Sequence, residues 1–121
     1  MLQHVERLWR KKDQKAGVGI VFQVSDEGAL VVASLVPDGP AERSGKVAAG
    51  DVLYEVDGVN VYRAHQLKVA DLVVGVEGSK VCLGLKRGMR YEGDGIFRVE
   101  LTKAVMDKVG LVERFRIPRD A

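Results

Sequence analysis

The stretch Ala16-Gly17-Val18-Gly19-Ile20-Val21-Phe22-Gln23-Val24 constrains this chain more than any other. Its two glycines permit a turn in which successive backbone N–H groups point into one small space, which makes a receptor for an anion. Past the turn, Ile20, Phe22 and Val24 alternate with Val21 and Gln23, the period of a half-buried strand. A loop of bare amides that opens onto a strand edge suggests capture of a peptide end.

The rest of the sequence reads as a scaffold for that edge. The chain has 121 residues, enough for one domain with a real core. Residues 5–9 read as a first strand, followed by the basic run Arg10-Lys11-Lys12 and then Lys15. After the central strand, Ser25-Asp26-Glu27-Gly28 is a polar turn, and 29–36 is a β-branched run that reads as a buried strand. Pro37-Asp38-Gly39-Pro40 stops it, with Asp38 a candidate cap, Pro40 suited to the first turn of a short helix over 41–44, and Gly45 its end. Residues 52–56 alternate as a strand, and Asp57-Gly58 is a hairpin turn that delivers a brief strand around Asn60-Val61. The spacing predicts one longer helix over 64–74, stopped by Gly75. A strand over 80–86, a loop over 89–95 and a returning strand over 96–102 follow. Residues 105–116 carry no clear pattern, and 118–121 read as a frayed end.

Several function classes are disfavoured by what the residues lack. The net charge of +2 gives no global field for nucleic acid. A single cysteine, Cys82, rules out an internal disulfide and a cysteine-rich zinc site, and fits a reducing compartment. The N-terminus lacks the apolar core of a signal peptide, and no run reaches the ~18 apolar residues of a membrane span, so a cytoplasmic address is expected. Phe22 stands where a dinucleotide fingerprint needs its third glycine. His4 and His65 have no ligand companions, and no serine or cysteine sits in a nucleophile's context. No catalytic residue, metal or cofactor is therefore expected.

The order of the pieces resembles a PDZ domain. The matching segments are Gly17-Val18-Gly19-Ile20, Val36-Pro37-Asp38-Gly39-Pro40-Ala41, the run from Gly50-Asp51 through Asp57-Gly58-Val59, Leu72-Val73-Val74-Gly75, and Gly78-Ser79-Lys80-Val81. The later Phe97-Arg98-Val99-Glu100-Leu101-Thr102-Lys103-Ala104 resembles the extra hairpin strand of PDZ domains in bacterial-type and organellar proteases. The resemblance implies an α+β, mainly β fold: a partly open barrel or sandwich of five to six strands capped by two α-helices, with that extra C-terminal strand. It places the domain over 1–104 and leaves 105–121 as a tail.

It also implies a ligand and a site. A partner's C-terminal peptide would add as a strand to Ile20, Val21, Phe22, Gln23 and Val24, with its carboxylate on the amides of Val18, Gly19 and Ile20. An apolar last residue would enter a pocket of Val18, Ile20, Phe22 and Val73, and Val69 and Ala70 would complete the helical wall. Lys12 and Lys15 are the candidates for the cation that the family often carries before the loop. For the second specificity position His65 and Gln66 compete. Counting back from Leu72-Val73-Val74-Gly75 favours Gln66, whereas a groove face of His65, Val69 and Leu72 is one residue out of register. The expected function is a non-catalytic scaffolding or localisation module. The alternatives are the substrate-recognising PDZ domain of a protease or chaperone, and weak contact with an anionic membrane through Arg7, Arg10, Lys11, Lys12 and Lys15.

Overall fold

The computed structural model describes residues 15–88, 95–106 and 115–116. The expected first strand and the basic run through Lys12 lie outside the described residues. Strand β1 (Ile20–Val24) pairs antiparallel with β2 (Leu30–Leu35), and β2 meets β3 (Val52–Val56) through Val31 and Val52. A two-residue β4 (Val59–Asn60) folds back on β3, because Asp57 and Gly58 both take positive φ (52° and 82°), as a tight Asp-Gly hairpin turn requires. Strand β5 (Lys80–Lys86) lies antiparallel between β3 and β6 (Phe97–Thr102). The sheet order is β6-β5-β3-β2-β1-β7, with β4 off the path, and β7 (Phe115–Arg116) pairs parallel to β1.

Two helices complete the described fold. The short α1 (Pro40–Ser44) carries proline in its first turn and ends at Gly45 in the left-handed region (φ 70°). Asp38 does not cap it. The N-cap is Gly39, without a side-chain bond, while Asp38 sits at φ 64° and donates its N–H to Glu42 Oε1 at 2.6 Å. The longer α2 (Gln66–Val73) begins two residues later than its apolar spacing predicts. Arg63 at φ 65° and an Ala64 N–H donated to the Val61 carbonyl hold the chain in a turn until His65, whose Nδ1 accepts from the Leu67 N–H at 3.1 Å.

Alternation fills the core. Val81, Leu83 and Leu85 of β5 and Val99 and Leu101 of β6 point inward with Leu30, Val32, Leu53 and Val56, and α2 contributes Val69 and Val73. The simple alternation fails in β1. Val21 is buried together with Ile20 and Phe22, and between Val21 and Phe22 the register skips Ala33 of β2. Gly84 lies between Glu55 and Arg98 in the register of three adjacent strands, and a Cβ there would fall 2.9 Å from Glu55 Cβ. Its bare backbone lets Arg98 Nε reach Glu55 Oε1 at 3.0 Å across β5.

Among the described residues one charged side chain is fully buried. Asp51, just before β3, accepts from Arg87 Nε at 2.7 Å and Nη2 at 2.8 Å, and from the Ala48 N–H at 2.9 Å. The pair ties the start of β3 to the residue after β5, and it adds a bond to the neighbouring turn. Asp51→Ala is expected to lower unfolding free energy by about 2 kcal/mol, because it removes three bonds and leaves the Ala48 amide without its acceptor, while Arg87 keeps its bond to the Lys46 carbonyl. Asp51→Asn should lose less, since it keeps the amide bond. Urea denaturation of the two variants checks the size of the first loss and the order of the two.

Candidate functional site

The glycine loop is held from both sides by backbone. Ala16 and Gly75 exchange reciprocal N–H···O bonds of 2.8 and 2.9 Å, and Gly17 and Ala104 exchange bonds of 3.0 and 2.9 Å. One bridge comes from the end of α2 and the other from the segment after β6. Next along the chain, the Val18 carbonyl accepts from Ala41 in α1 and the Gly19 carbonyl accepts from Val36 after β2, each at 2.9 Å. Among the described residues no acceptor takes the N–H of Val18 or Gly19. Two adjacent amides with pinned carbonyls have the chemistry that an anion receptor needs.

Only one of the two glycines turns the chain. Gly19 takes φ +77°, and a Cβ on it would stand 3.3 Å from Gly39 Cα and 3.4 Å from Met106 Sδ. Gly17 instead lies in the bridge to Ala104, outside the left-handed region. The nest thus depends on the conformation of Gly19 and on the bridge at Gly17.

Below the loop the expected pocket residues come together. Val18, Ile20, Phe22 and Val73 belong to one buried cluster, and none is more than 3% exposed. Val69 is wholly buried and faces the core, while Ala70 remains 8% exposed on the flank of α2. In β1, Gln23 is exposed and Val24 half-buried. The competing pair at the start of α2 takes different positions. His65 is an exposed N-cap with its Nδ1 already engaged, whereas Gln66 is the first helical residue and half-buried. Its Oε1 is shielded from solvent and has no hydrogen-bond partner among the described residues.

Lys15 is exposed directly before Ala16, and Lys12 falls outside the described residues. A third cation, Lys103, is one that sequence reading did not single out. Its N–H donates to the Ser79 carbonyl and its own carbonyl accepts from Gly78, which fixes its backbone next to Ala104. Its Nζ fills the space beside Gly75, where a Cβ would fall 2.8 Å away. Gly75 is the bridge partner of Ala16, so this half-buried ammonium stands at the base of the loop. Lys103 and Gly17 are remote in sequence, and only the β6 pairing brings them together.

The β1 edge opposite β2 is not bare. It carries β7 in parallel, with Phe22 opposite Phe115 and Gln23 opposite Arg116. Among the described residues no group of three or more His, Cys, Asp or Glu stands ready for a metal, and no helix is long and apolar enough to cross a membrane.

A strand edge preceded by an amide nest and flanked by a helix defines a class of peptide-binding folds. A family model for the PDZ domain matches residues 8–86, and the chain belongs to that family, whose members are peptide-binding modules. It is similar to the PDZ domain-containing protein MAGIX of Mus musculus, at 31% identity over 69% of this chain and 27% of that protein. It is also similar to a probable CtpA-like serine protease of Staphylococcus haemolyticus, at 38% identity over 60% of this chain and 14% of that protein. The chain therefore spans 27% or less of either curated relative's length. Among solved structures, the PDZ domain of a carboxy-terminal protease from Vibrio cholerae, in complex with a peptide, matches with a TM-score of 0.62 and 30% identity. That match covers 73% of this chain and 92% of the other.

Proposed function

We infer that this domain captures the free C-terminus of a partner protein by strand addition to β1, with the terminal carboxylate on the amides of Val18, Gly19 and Ile20. The observation that carries the reading is the pair of unclaimed N–H groups at Val18 and Gly19, beside carbonyls already fixed to Ala41 and Val36. Because the nest precedes β1, a ligand that ends there runs antiparallel to β1 and recovers ladder bonds whatever its sequence. Each charge-assisted bond to the carboxylate contributes about 1.5–3 kcal/mol before desolvation and ordering costs. Lys103, at the base of the loop, is the cation best placed to add to that field.

Side-chain selectivity follows from what lies along the groove. Val18, Ile20, Phe22 and Val73 favour an apolar last residue such as Val, Leu or Ile. The orphaned Oε1 of Gln66 needs a donor, which a ligand hydroxyl or amide two residues from the end supplies. The domain serves scaffolding or localisation in this reading. The pairing of β6 along β5, from Lys80 opposite Thr102 to Leu85 opposite Phe97, favours one second reading, a substrate-recognising domain of a protease. The strand resembles that subgroup, and the Vibrio cholerae protease domain is among the similar structures.

The test begins with a random C-terminal peptide library and continues with the best binder. Amidating its terminus should weaken binding at least tenfold, about 1.4 kcal/mol, as measured by titration calorimetry. Equal affinities would remove carboxylate capture. Lys103→Met should weaken the free-acid peptide several-fold more than the amide. Gln66→Ala should change the preference two residues from the ligand's end, while His65→Ala leaves that preference in place. The opposite pattern from a peptide array would place His65 in the groove.

A further inference from the structure

We propose that the β1 edge is held in cis by the chain's own segment Phe115–Arg116, and that a ligand enters only by displacing it. The proposal rests on the capture reading above, because it concerns the same edge. Strand β1 has two edges, of which one pairs with β2 and the other with β7. Gln23 spends its main-chain groups on Val31 of β2, so an incoming strand and β7 need the same outward-facing main-chain groups of β1 at Phe22.

Direction separates the two occupants. The nest precedes β1, so a captured C-terminus must run antiparallel to β1, whereas Phe115–Arg116 runs parallel and passes Phe22 before Gln23. The cis strand leads away from the loop, and no described residue takes the Val18 or Gly19 amide. It blocks the ladder and leaves the carboxylate receptor unfilled. A ligand that ends in a carboxylate regains the ladder and adds the amide bonds that β7 lacks, whereas an internal peptide strand regains the ladder only. The tethered strand thus sets a threshold that favours free C-termini.

Tethering makes even a weak strand effective. A segment on the same chain acts at a local concentration of order millimolar, well above typical levels of a partner. The pairing is short, two residues against the five of β1, so displacement stays within reach of a ligand with good anchors. It also shields an edge that would otherwise be open to other strands.

The test uses the full chain with Phe115→Pro and Arg116→Pro together, and with Arg116→Pro alone. Proline at 116 removes the N–H that faces Phe22, and proline at 115 adds a restricted backbone to the same short strand. Without ligand, the β1 amides that face away from β2 should exchange hydrogen faster in the double variant than in the wild type. The best free-acid library peptide should bind about tenfold tighter, the factor expected when the wild-type edge is free about a tenth of the time. The single variant should fall between the two. Unchanged exchange would overturn the cis pairing. Faster exchange with unchanged affinity, for a peptide the wild type binds, would overturn the competition. Faster exchange with no discrimination between free-acid and amidated peptides in any form would support the pairing and contradict the carboxylate reading instead.

Discussion

Two reciprocal backbone bridges, Ala16 with Gly75 and Gly17 with Ala104, hold the glycine loop between the end of α2 and the segment after β6. Everything proposed for the site depends on this clamp. It fixes the chain before Gly19, so that the left-handed turn at φ +77° sends the Val18 and Gly19 carbonyls to Ala41 and Val36 and leaves their amides unclaimed. A loop free to relax would turn those amides to solvent or to its own carbonyls, and an anion would have to organise it on binding. Preorganisation of this kind turns modest hydrogen bonds into useful affinity, because the ordering cost is met during folding.

Much of this was legible in the sequence, for identifiable reasons. The bounds of β3 and β5 follow from their apolar, β-branched runs, although in β3 the shift at Tyr54 brings Leu53 and Val56 to one face, and the Asp57-Gly58 turn and the Gly45 stop follow from residues that tolerate positive φ. Readings failed where tertiary contact overrode the local pattern. Alternation placed Val21 opposite the core face, but Val21 is buried along with Ile20 and Phe22. Apolar spacing started α2 at residue 64, but the turn at Arg63 and the cap at His65 delay it to Gln66. Asp38 had the chemistry of a cap and instead donates its own N–H to Glu42.

Other features could not be read from any local window. Asp51 looked like one residue of a turn until β3 and β5 brought Arg87 onto it. Lys103 reaches the loop only because β6 pairs with β5 and delivers the chain to Ala104. The tail segment Phe115–Arg116 lies in a stretch without a clear period, since a two-residue strand is too short to show one. In each case the signal is a pairing between remote positions, and a single sequence does not display it.

The proposed function is that of a binder whose affinity comes from backbone and whose choice comes from a few side chains. In the proposed reading the ladder on β1 is indifferent to sequence, the nest takes a charge, the cluster of Val18, Ile20, Phe22 and Val73 selects apolar bulk, and Gln66 takes a donor. The central claim is that the Val18 and Gly19 amides receive a carboxylate. Amide chemical-shift mapping by NMR, with one peptide in free-acid and amidated forms, tests it most directly. The account predicts large downfield shifts of the Val18 and Gly19 amide protons with the free acid, and small ones with the amide. Equal shifts with both forms, or no shift at either residue on saturation, would contradict it.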